Sequence, residues 1–160
     1  MATVYIETSV ISYLTARPSR DVLAAAHQAI TREWWDYHRK RFEVFISPLV
    51  IEECKRGDAS AAALRLGALG DLASLEIVEE ALLLAAALIT DGALPDNAQD
   101  DAAHIALAAV HGMDYLLTWN CRHIDNAEAK PLVRSICVAR GHTCPEICTP
   151  EELMGGTEHD

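Results

Sequence analysis

Short apolar segments alternate along this chain with longer segments in which apolar residues recur every three or four positions. Short runs of apolar, β-branched and aromatic residues favour strands, whereas spacings of three and four favour amphipathic helices. Strands that alternate with helices indicate βαβ units. The sequence therefore predicts an α/β fold, a three-layer α/β/α sandwich with a central parallel β-sheet. The predicted strands are TVYI at 3–6, FEVFI at 42–46, SLEIV at 74–78, DYLLT at 114–118 and EICT at 146–149.

Five helices are predicted between these strands. Ser47 and Pro48 start the second one, because serine caps a helix N-terminus and proline suits the first helical position, and Gly57 ends it. An acidic cap at Asp96 starts the fifth, and Gly112 ends it. The five helices cover about 20–41, 48–57, 59–69, 79–89 and 97–112, and the first presents Val22, Leu23, Ala26, Ile30 and Trp34 on one apolar face.

The composition fits one folded domain. With 160 residues, 51% of them hydrophobic, the chain can bury a sizeable core. We place the domain at 1–150 and a polar tail at 151–160. The longest apolar run, ALLLAAALI at 81–89, is too short to cross a bilayer, and no signal-peptide pattern precedes the first strand. The sequence predicts a cytoplasmic protein with no membrane partner.

Cysteine usage favours a reducing compartment. The five cysteines are odd in number and form no CxxC pair, which argues against a disulfide framework and a structural zinc site. Free thiols are predicted. A cluster near the end of the chain keeps a metal alternative open, although its spacings match no zinc pattern. This cluster consists of Cys137, His142, Cys144 and Cys148.

The formal net charge of -11 argues against a general nucleic-acid binder, which normally carries a basic excess. The charge favours a small-molecule or protein partner, unless the acids surround a divalent metal. A bound cation would cancel their repulsion of phosphate. The positions of individual acids therefore decide how the charge is interpreted.

Three carboxylates are predicted to meet at one edge of the sheet. Glu7 follows the first strand, Glu53 lies on the partly buried side of the next helix, and Asp101 lies on the apolar stripe of the fifth helix. Crevices of parallel sheets lie outside the carboxyl ends of the strands, where these acids would converge. The neighbouring Glu52 points roughly 100° away around its helix and is the weaker candidate, and Asp100 is predicted to point to solvent.

Each candidate also has a purely structural interpretation. Glu7 can cap the following helix, and Glu53 can pair with Arg56 one turn later. Asp101 can be a surface charge on an amphipathic helix. Asn120, which follows the fourth strand in TWN, can be a turn residue. Convergence of all four favours a site instead, because clustered oxygen ligands suit Mg²⁺ or Mn²⁺, and such a centre activates water and stabilises charge on a phosphodiester.

Three segments, in this order, resemble the PIN-domain nucleases, in particular the VapC-like toxins of bacterial toxin-antitoxin pairs. They are YIETSVISYL, ISPLVIEEC and DDAAHIALAAVHGMDYLLTWN. The resemblance implies a metal-dependent endoribonuclease that hydrolyses RNA phosphodiester bonds as the toxin of such a pair. It also implies a cognate antitoxin that blocks the crevice, and a homodimer.

The resemblance places the acids of the family on Glu7, Glu53 and Asp101, and its fourth acidic position on Asn120. Glu7 is one methylene longer than the usual Asp, and Asn120 removes a charge that would help to hold a second metal. The three acids are expected to hold Mg²⁺ or Mn²⁺, with Asn120 holding the attacking water or a metal-bound water. Two hydroxyls are expected to fix the carboxylate rotamers, those of Ser9 and Thr118.

An acidic chain needs local positive charge to hold RNA. Two histidines lie near the predicted crevice: His104 is interpreted as a partly buried structural residue, and His123 as close enough to approach a substrate. Five cations lie in loops or helix ends near the same edge of the sheet, namely Arg17, Arg20, Lys55, Arg56 and Arg122.

Two other function classes stay open. A PIN-like module with weakened catalysis would bind RNA or a protein, an idea that Asn120 and the negative charge favour. A metal-dependent phosphatase or other hydrolase on a similar scaffold is the third, because a fold does not fix a function.

Overall fold

A five-stranded, all-parallel sheet forms the centre of the protein, described here for residues 1–155 of a computed structural model. Its strand order is β3-β2-β1-β4-β5. Layers of α-helices cover it, which confirms the predicted three-layer α/β/α sandwich. The strands are β1 (Thr3–Ile6), β2 (Glu43–Ile46), β3 (Ala73–Ser74), β4 (Tyr115–Leu117) and β5 (Glu146–Cys148).

Two groups of helices pack among themselves. In one group α1 contacts α2, α3 and α4, and in the other α5 contacts α6 and α7. The helices are α1 (Thr8–Thr15), α2 (Val22–Glu33), α3 (Pro48–Cys54), α4 (Ala59–Leu69), α5 (Glu79–Thr90), α6 (Gln99–Val110) and α7 (Lys130–Ala139). None of the helices described in residues 1–155 has the length and apolar character needed to span a bilayer.

The strand order places a topological switch point beside β1. The chain runs outward from β1 to β2 and β3, then returns to the other side of β1 for β4 and β5. At such a point the connections leave the sheet in opposite directions and open a crevice at the carboxyl ends of the strands. The segments that follow β1 and β4 therefore lie side by side, as the register Ile6 to Leu117 shows.

Capping explains several helix boundaries. Ser47 accepts a hydrogen bond from the backbone N–H of Val50, so α3 begins at Pro48 as predicted. It ends at Cys54, and Gly57 turns the chain with a φ of 84°. Gly112 does the same after α6, with a φ of 68°. A left-handed backbone at these positions suits a residue without a Cβ.

Three local predictions differ from the structure. The third strand covers only Ala73–Ser74, because the chain leaves the sheet edge after two residues. α1 and α7 were not predicted. The segment 151–160 was predicted as a tail, but a 3-10 turn at Pro150–Leu153 packs on the domain, and Trp34 donates its indole N–H to the Leu153 carbonyl at 3.1 Å. Residues 156–160 lie outside the described residues.

The predicted apolar face of α2 is also wrong in its first turn. Val22 and Leu23 are 85% and 65% exposed, whereas Gln28 and Thr31 are buried. Gln28 accepts a hydrogen bond from the Ser19 backbone N–H and donates one to the Arg17 carbonyl. The side of α2 that faces the protein therefore differs from the predicted apolar face, because it includes polar side chains that hydrogen-bond to other parts of the chain.

Candidate metal centre

Glu7 lies at the switch point, directly after β1, and only 6% of it is exposed. It occupies the N-cap position of α1, but its carboxylate makes no capping hydrogen bond. The hydroxyls of Ser9 and Thr118 donate instead to Glu7 Oε1, at 2.5 and 2.6 Å. The capping role that local sequence suggests for the Glu7 side chain is therefore absent.

The two hydroxyls are themselves held by the backbone. The Trp119 N–H donates to Ser9 Oγ and the Asn120 N–H donates to Thr118 Oγ1, each at 2.9 Å. Because each hydroxyl oxygen already accepts a backbone hydrogen bond, its own hydrogen is directed toward the carboxylate. The turn after β4 thus fixes the orientation of Glu7.

Glu53 approaches from α3 and is held in a similar way. Its Oε1 accepts hydrogen bonds from Thr8 Oγ1 and from His104 Nε2, both at 2.5 Å. Arg56, the alternative partner in the sequence, pairs instead with Asp100 at 3.4 Å. Donors on both α1 and α6 therefore hold the Glu53 carboxylate in place.

The two glutamates share one pattern. In each, Oε1 accepts hydrogen bonds from two protein donors, whereas Oε2 accepts none from residues 1–155. Both Oε2 atoms are accessible to solvent. One possible ligand atom from each of Glu7, Glu53 and His104 lies within 4.8 Å of the others. Two carboxylate side chains are thus held close together, each with one oxygen that no protein donor occupies in residues 1–155.

His104 is the member that sequence reasoning undervalued. It is fully buried, and its Nδ1 shares a 2.7 Å hydrogen bond with the Tyr5 hydroxyl, which in turn bonds Ser47 Oγ at 2.7 Å. Two signals in the sequence pointed to these residues. Tyr5 is two positions before Glu7, on the same side of an extended chain, and His104 is one helical turn after Asp101.

The electrostatics favour a charged Glu53. Burial alone would raise its pKa, but the hydrogen bonds from His104 and Thr8 and attraction to the imidazole and Arg56 hold that pKa below its usual range. Burial alone would lower the pKa of His104, whereas its hydrogen bond to Glu53 and the nearby carboxylates raise it. The pair therefore keeps negative charge on the carboxylate that faces the cleft.

Asp101 lies outside the group of candidate ligand atoms that contains Glu7. It lines a cleft of about 430 Å³ together with Glu53. Its Oδ2 lies 3.0 Å from His123 Nδ1, and both side chains are 22% exposed. His123, which was expected to approach a substrate, is thus bound to one of the predicted acids.

Asn120 takes part in the turn after β4. Its Oδ1 accepts the backbone N–H of His123 at 3.0 Å, and its carbonyl accepts those of Ile124 and Asp125. These contacts match the turn interpretation of Asn120. If Asn120 holds a water, as predicted, it does so through the hydrogen-bonding positions of its amide that these contacts leave free.

The predicted cations divide into two groups. Arg56 pairs with Asp100, and Lys55 pairs with Glu52 at 3.7 Å. Those two acids are exposed, as predicted for Asp100, and they neutralise the neighbouring cations. Within residues 1–155 the other three cations make no ion pair, namely Arg17, Arg20 and Arg122.

The donor set fits a hard divalent cation. Two carboxylate oxygens are free, both ring nitrogens of His104 already have partners, and the open cleft leaves room for water ligands. Mg²⁺ and Mn²⁺ take such oxygen ligands together with water. The alternative cluster around Cys137 and Cys144 forms no metal-binding group in the described part of the chain.

Comparison with known proteins gives no family assignment: no family model matches the chain, and a search of curated proteins finds no match.

Proposed function

We propose that this protein is a metal-dependent endoribonuclease with a PIN-like fold, and that it hydrolyses RNA phosphodiester bonds as the toxin of a toxin-antitoxin pair. One observation carries the proposal: Glu7 and Glu53 are held at the switch point with one accessible oxygen each. Carboxylates this close, that of Glu7 buried and that of Glu53 partly buried, repel one another, so their retention is best explained by a cation between them. RNA, the antitoxin and the homodimer enter the proposal through the sequence resemblance.

Each residue has a defined part in the proposed reaction. Glu7 and Glu53 would hold Mg²⁺ or Mn²⁺ through their free oxygens, and Asp101, which lines the cleft together with Glu53, would contribute a further oxygen. Such an ion would supply a lower pKa for a bound water and stabilisation of the negative charge on the phosphate oxygens. Ser9 and Thr118 keep Glu7 from rotating, so the protein spends no energy on reorienting it when substrate binds.

A second candidate is a PIN-like module that binds RNA or a protein and has weak catalysis. Two observations favour it: Asp101 is engaged by His123, and Asn120 Oδ1 is engaged by the backbone. Of the three predicted acids, only Glu7 and Glu53 belong to the group of candidate ligand atoms that lie within 4.8 Å of one another in residues 1–155.

The test uses purified protein, mixed RNAs and Mn²⁺ or Mg²⁺, with Asp101→Ala and Asp100→Ala as a matched pair. Asp100 is the exposed neighbour of Asp101 and pairs with Arg56. We expect cleavage by wild type and Asp100→Ala, loss of cleavage in Asp101→Ala, and none in EDTA. Cleavage that persists in Asp101→Ala would remove that residue from the mechanism. RNA binding without cleavage by wild type would favour the second candidate.

A further inference from the structure

A continuous line of hydrogen bonds crosses the core and ends on a proposed metal ligand. It runs from Ser47 Oγ through the Tyr5 hydroxyl to His104 Nδ1, and from His104 Nε2 to Glu53 Oε1. Ser47, Tyr5 and His104 are buried with no measurable exposure. Polar side chains in a core cost free energy unless every hydrogen bond is made, so such a network needs a reason.

The donor and the acceptor of each hydrogen bond in this line follow from the Glu53 carboxylate at its end and from the charge of the ring. The Glu53 carboxylate only accepts, so His104 Nε2 carries a hydrogen and donates it. In a neutral ring Nδ1 accepts from the Tyr5 hydroxyl, whose oxygen then accepts from Ser47; in a protonated ring Nδ1–H donates to the Tyr5 oxygen. Both ring nitrogens are therefore occupied, and neither offers a lone pair to a cation.

The same contacts decide which oxygen of Glu53 is free. Thr8 on α1 and His104 on α6 both donate to Oε1, so the carboxylate cannot rotate without breaking a hydrogen bond to one of two different helices. Oε2 is left as the oxygen without a protein partner among residues 1–155. The imidazole is thus the link between the rigid core and the orientation of Glu53.

We infer that His104 is a positioning residue: held by Tyr5, it fixes Glu53 so that Oε2 meets the cation, and it is not itself a ligand. The inference rests on the metal centre of the proposed function. It makes the centre an all-oxygen site, which suits Mg²⁺ or Mn²⁺ rather than Zn²⁺, an ion commonly bound through histidine nitrogen.

The test measures Mn²⁺ binding to metal-free protein by calorimetry, with no RNA present. The variants are His104→Gln, Tyr5→Phe and, as a control, His111→Gln at the end of the same helix, where His111 bonds the Glu76 carbonyl. Far-UV circular dichroism of each metal-free variant checks the fold. Tyr5→Phe keeps the ring volume and so tests the network even where His104→Gln fails to fold.

We expect His104→Gln to raise the Kd for Mn²⁺ by about 10- to 100-fold, as removal of a residue that orients a ligand does. Tyr5→Phe should raise it by about 2- to 10-fold, the effect of one hydrogen bond. His111→Gln should stay at the wild-type value. Wild-type affinity in folded His104→Gln or Tyr5→Phe overturns the inference, as does a wild type that binds no Mn²⁺.

Spin-echo spectroscopy of bound Mn²⁺ separates positioning from ligation. We expect no coupling to a directly bound ¹⁴N in wild type, and a coupling that His104→Gln abolishes would make His104 a ligand and overturn the inference. The nuclease function and the positioning role of His104 can be refuted independently. A wild type that binds Mn²⁺ through this network but cuts no RNA refutes the nuclease alone. RNA cleavage with unchanged metal affinity in His104→Gln refutes the positioning role alone.

Discussion

Glu7 and Glu53 each use one carboxylate oxygen for contacts within the protein and leave the other accessible. Neutral hydroxyls hold Glu7, whereas an imidazole and a hydroxyl hold Glu53. Hydroxyl donors stabilise a carboxylate without cancelling its charge, which suits a side chain that is to bind a cation. The site is built as much by Ser9, Thr118 and Thr8 as by the acids themselves.

The first prediction concerns Ser9. Ser9→Ala removes one of the two donors to Glu7 Oε1 and leaves that of Thr118, so Mn²⁺ affinity should fall by about 2- to 10-fold, the equivalent of one hydrogen bond. Ser12→Ala on the same helix is the control, because the Ser12 side chain makes no hydrogen bond within residues 1–155. Calorimetric titration compares the two, and equal affinities would show that Ser9 does not hold the ligand.

Sequence reasoning reached part of this site. Glu7, Ser9 and Thr118 lie at or near the end of a predicted strand, where parallel sheets bring the chain together. Glu53 was found from its place on the partly buried side of the helix after the second strand. The engagement of Asp101 by His123 could not be predicted, because it depends on the path of the loop after β4. The same is true of the His104 network, which joins three elements that are distant in the chain.

At the scale of elements, strands were predicted more accurately than short helices. β1, β2, β4 and β5 lie within their predicted segments, because apolar runs are needed wherever a strand is covered on both faces. α1 and α7 have only eight and ten residues. Helices this short depend on tertiary packing, in α7 on Val133, Ile136 and Cys137. The still shorter α3 was predicted because Ser47 caps it, whereas neither α1 nor α7 has a side-chain capping hydrogen bond.

α2 gives the second prediction. Gln28→Ala removes the hydrogen bonds to the 17–19 segment, so the free energy of unfolding should fall by about 1–2 kcal/mol. Val22→Ala changes an exposed side chain and should alter it by less than about 0.5 kcal/mol. The helical pattern of the sequence predicts the reverse order. Urea unfolding measures both, and a larger loss for Val22→Ala would contradict the packing of α2.

At the scale of the whole molecule, the acidic side chains have two different roles: some pair with cations on the surface, and two lie together at the switch point. Exposed acids such as Glu52 and Asp100 neutralise Lys55 and Arg56, while Glu7 is buried and the Glu53 side chain is 17% exposed. The net charge of -11 therefore says little about the cleft. What matters there is the cation that Glu7 and Glu53 would hold.

Thiol chemistry gives a third prediction, for the fold as a whole. Burial raises the pKa of Cys54 to about 11 and that of Cys148 to about 12, whereas Cys121 is exposed. At pH 8 an alkylating reagent should therefore modify Cys121 first, since thiolates are the reactive form and access is needed. Peptide mass spectrometry identifies the site, and Cys121→Ser should remove the fast phase. Fast labelling of Cys54 would contradict the described core.

The most direct test of the central claim is RNA cleavage over a titration of Mn²⁺, for wild type, Glu53→Gln and Glu52→Gln. The two glutamates are neighbours on α3, but Glu53 bonds Thr8 and His104 at the switch point, whereas Glu52 is exposed and bonds Lys55. We predict Mn²⁺-dependent cleavage by wild type and Glu52→Gln, and none by Glu53→Gln. Equal cleavage by Glu53→Gln and wild type, or cleavage that continues in EDTA, would contradict a metal-dependent centre built on Glu7 and Glu53.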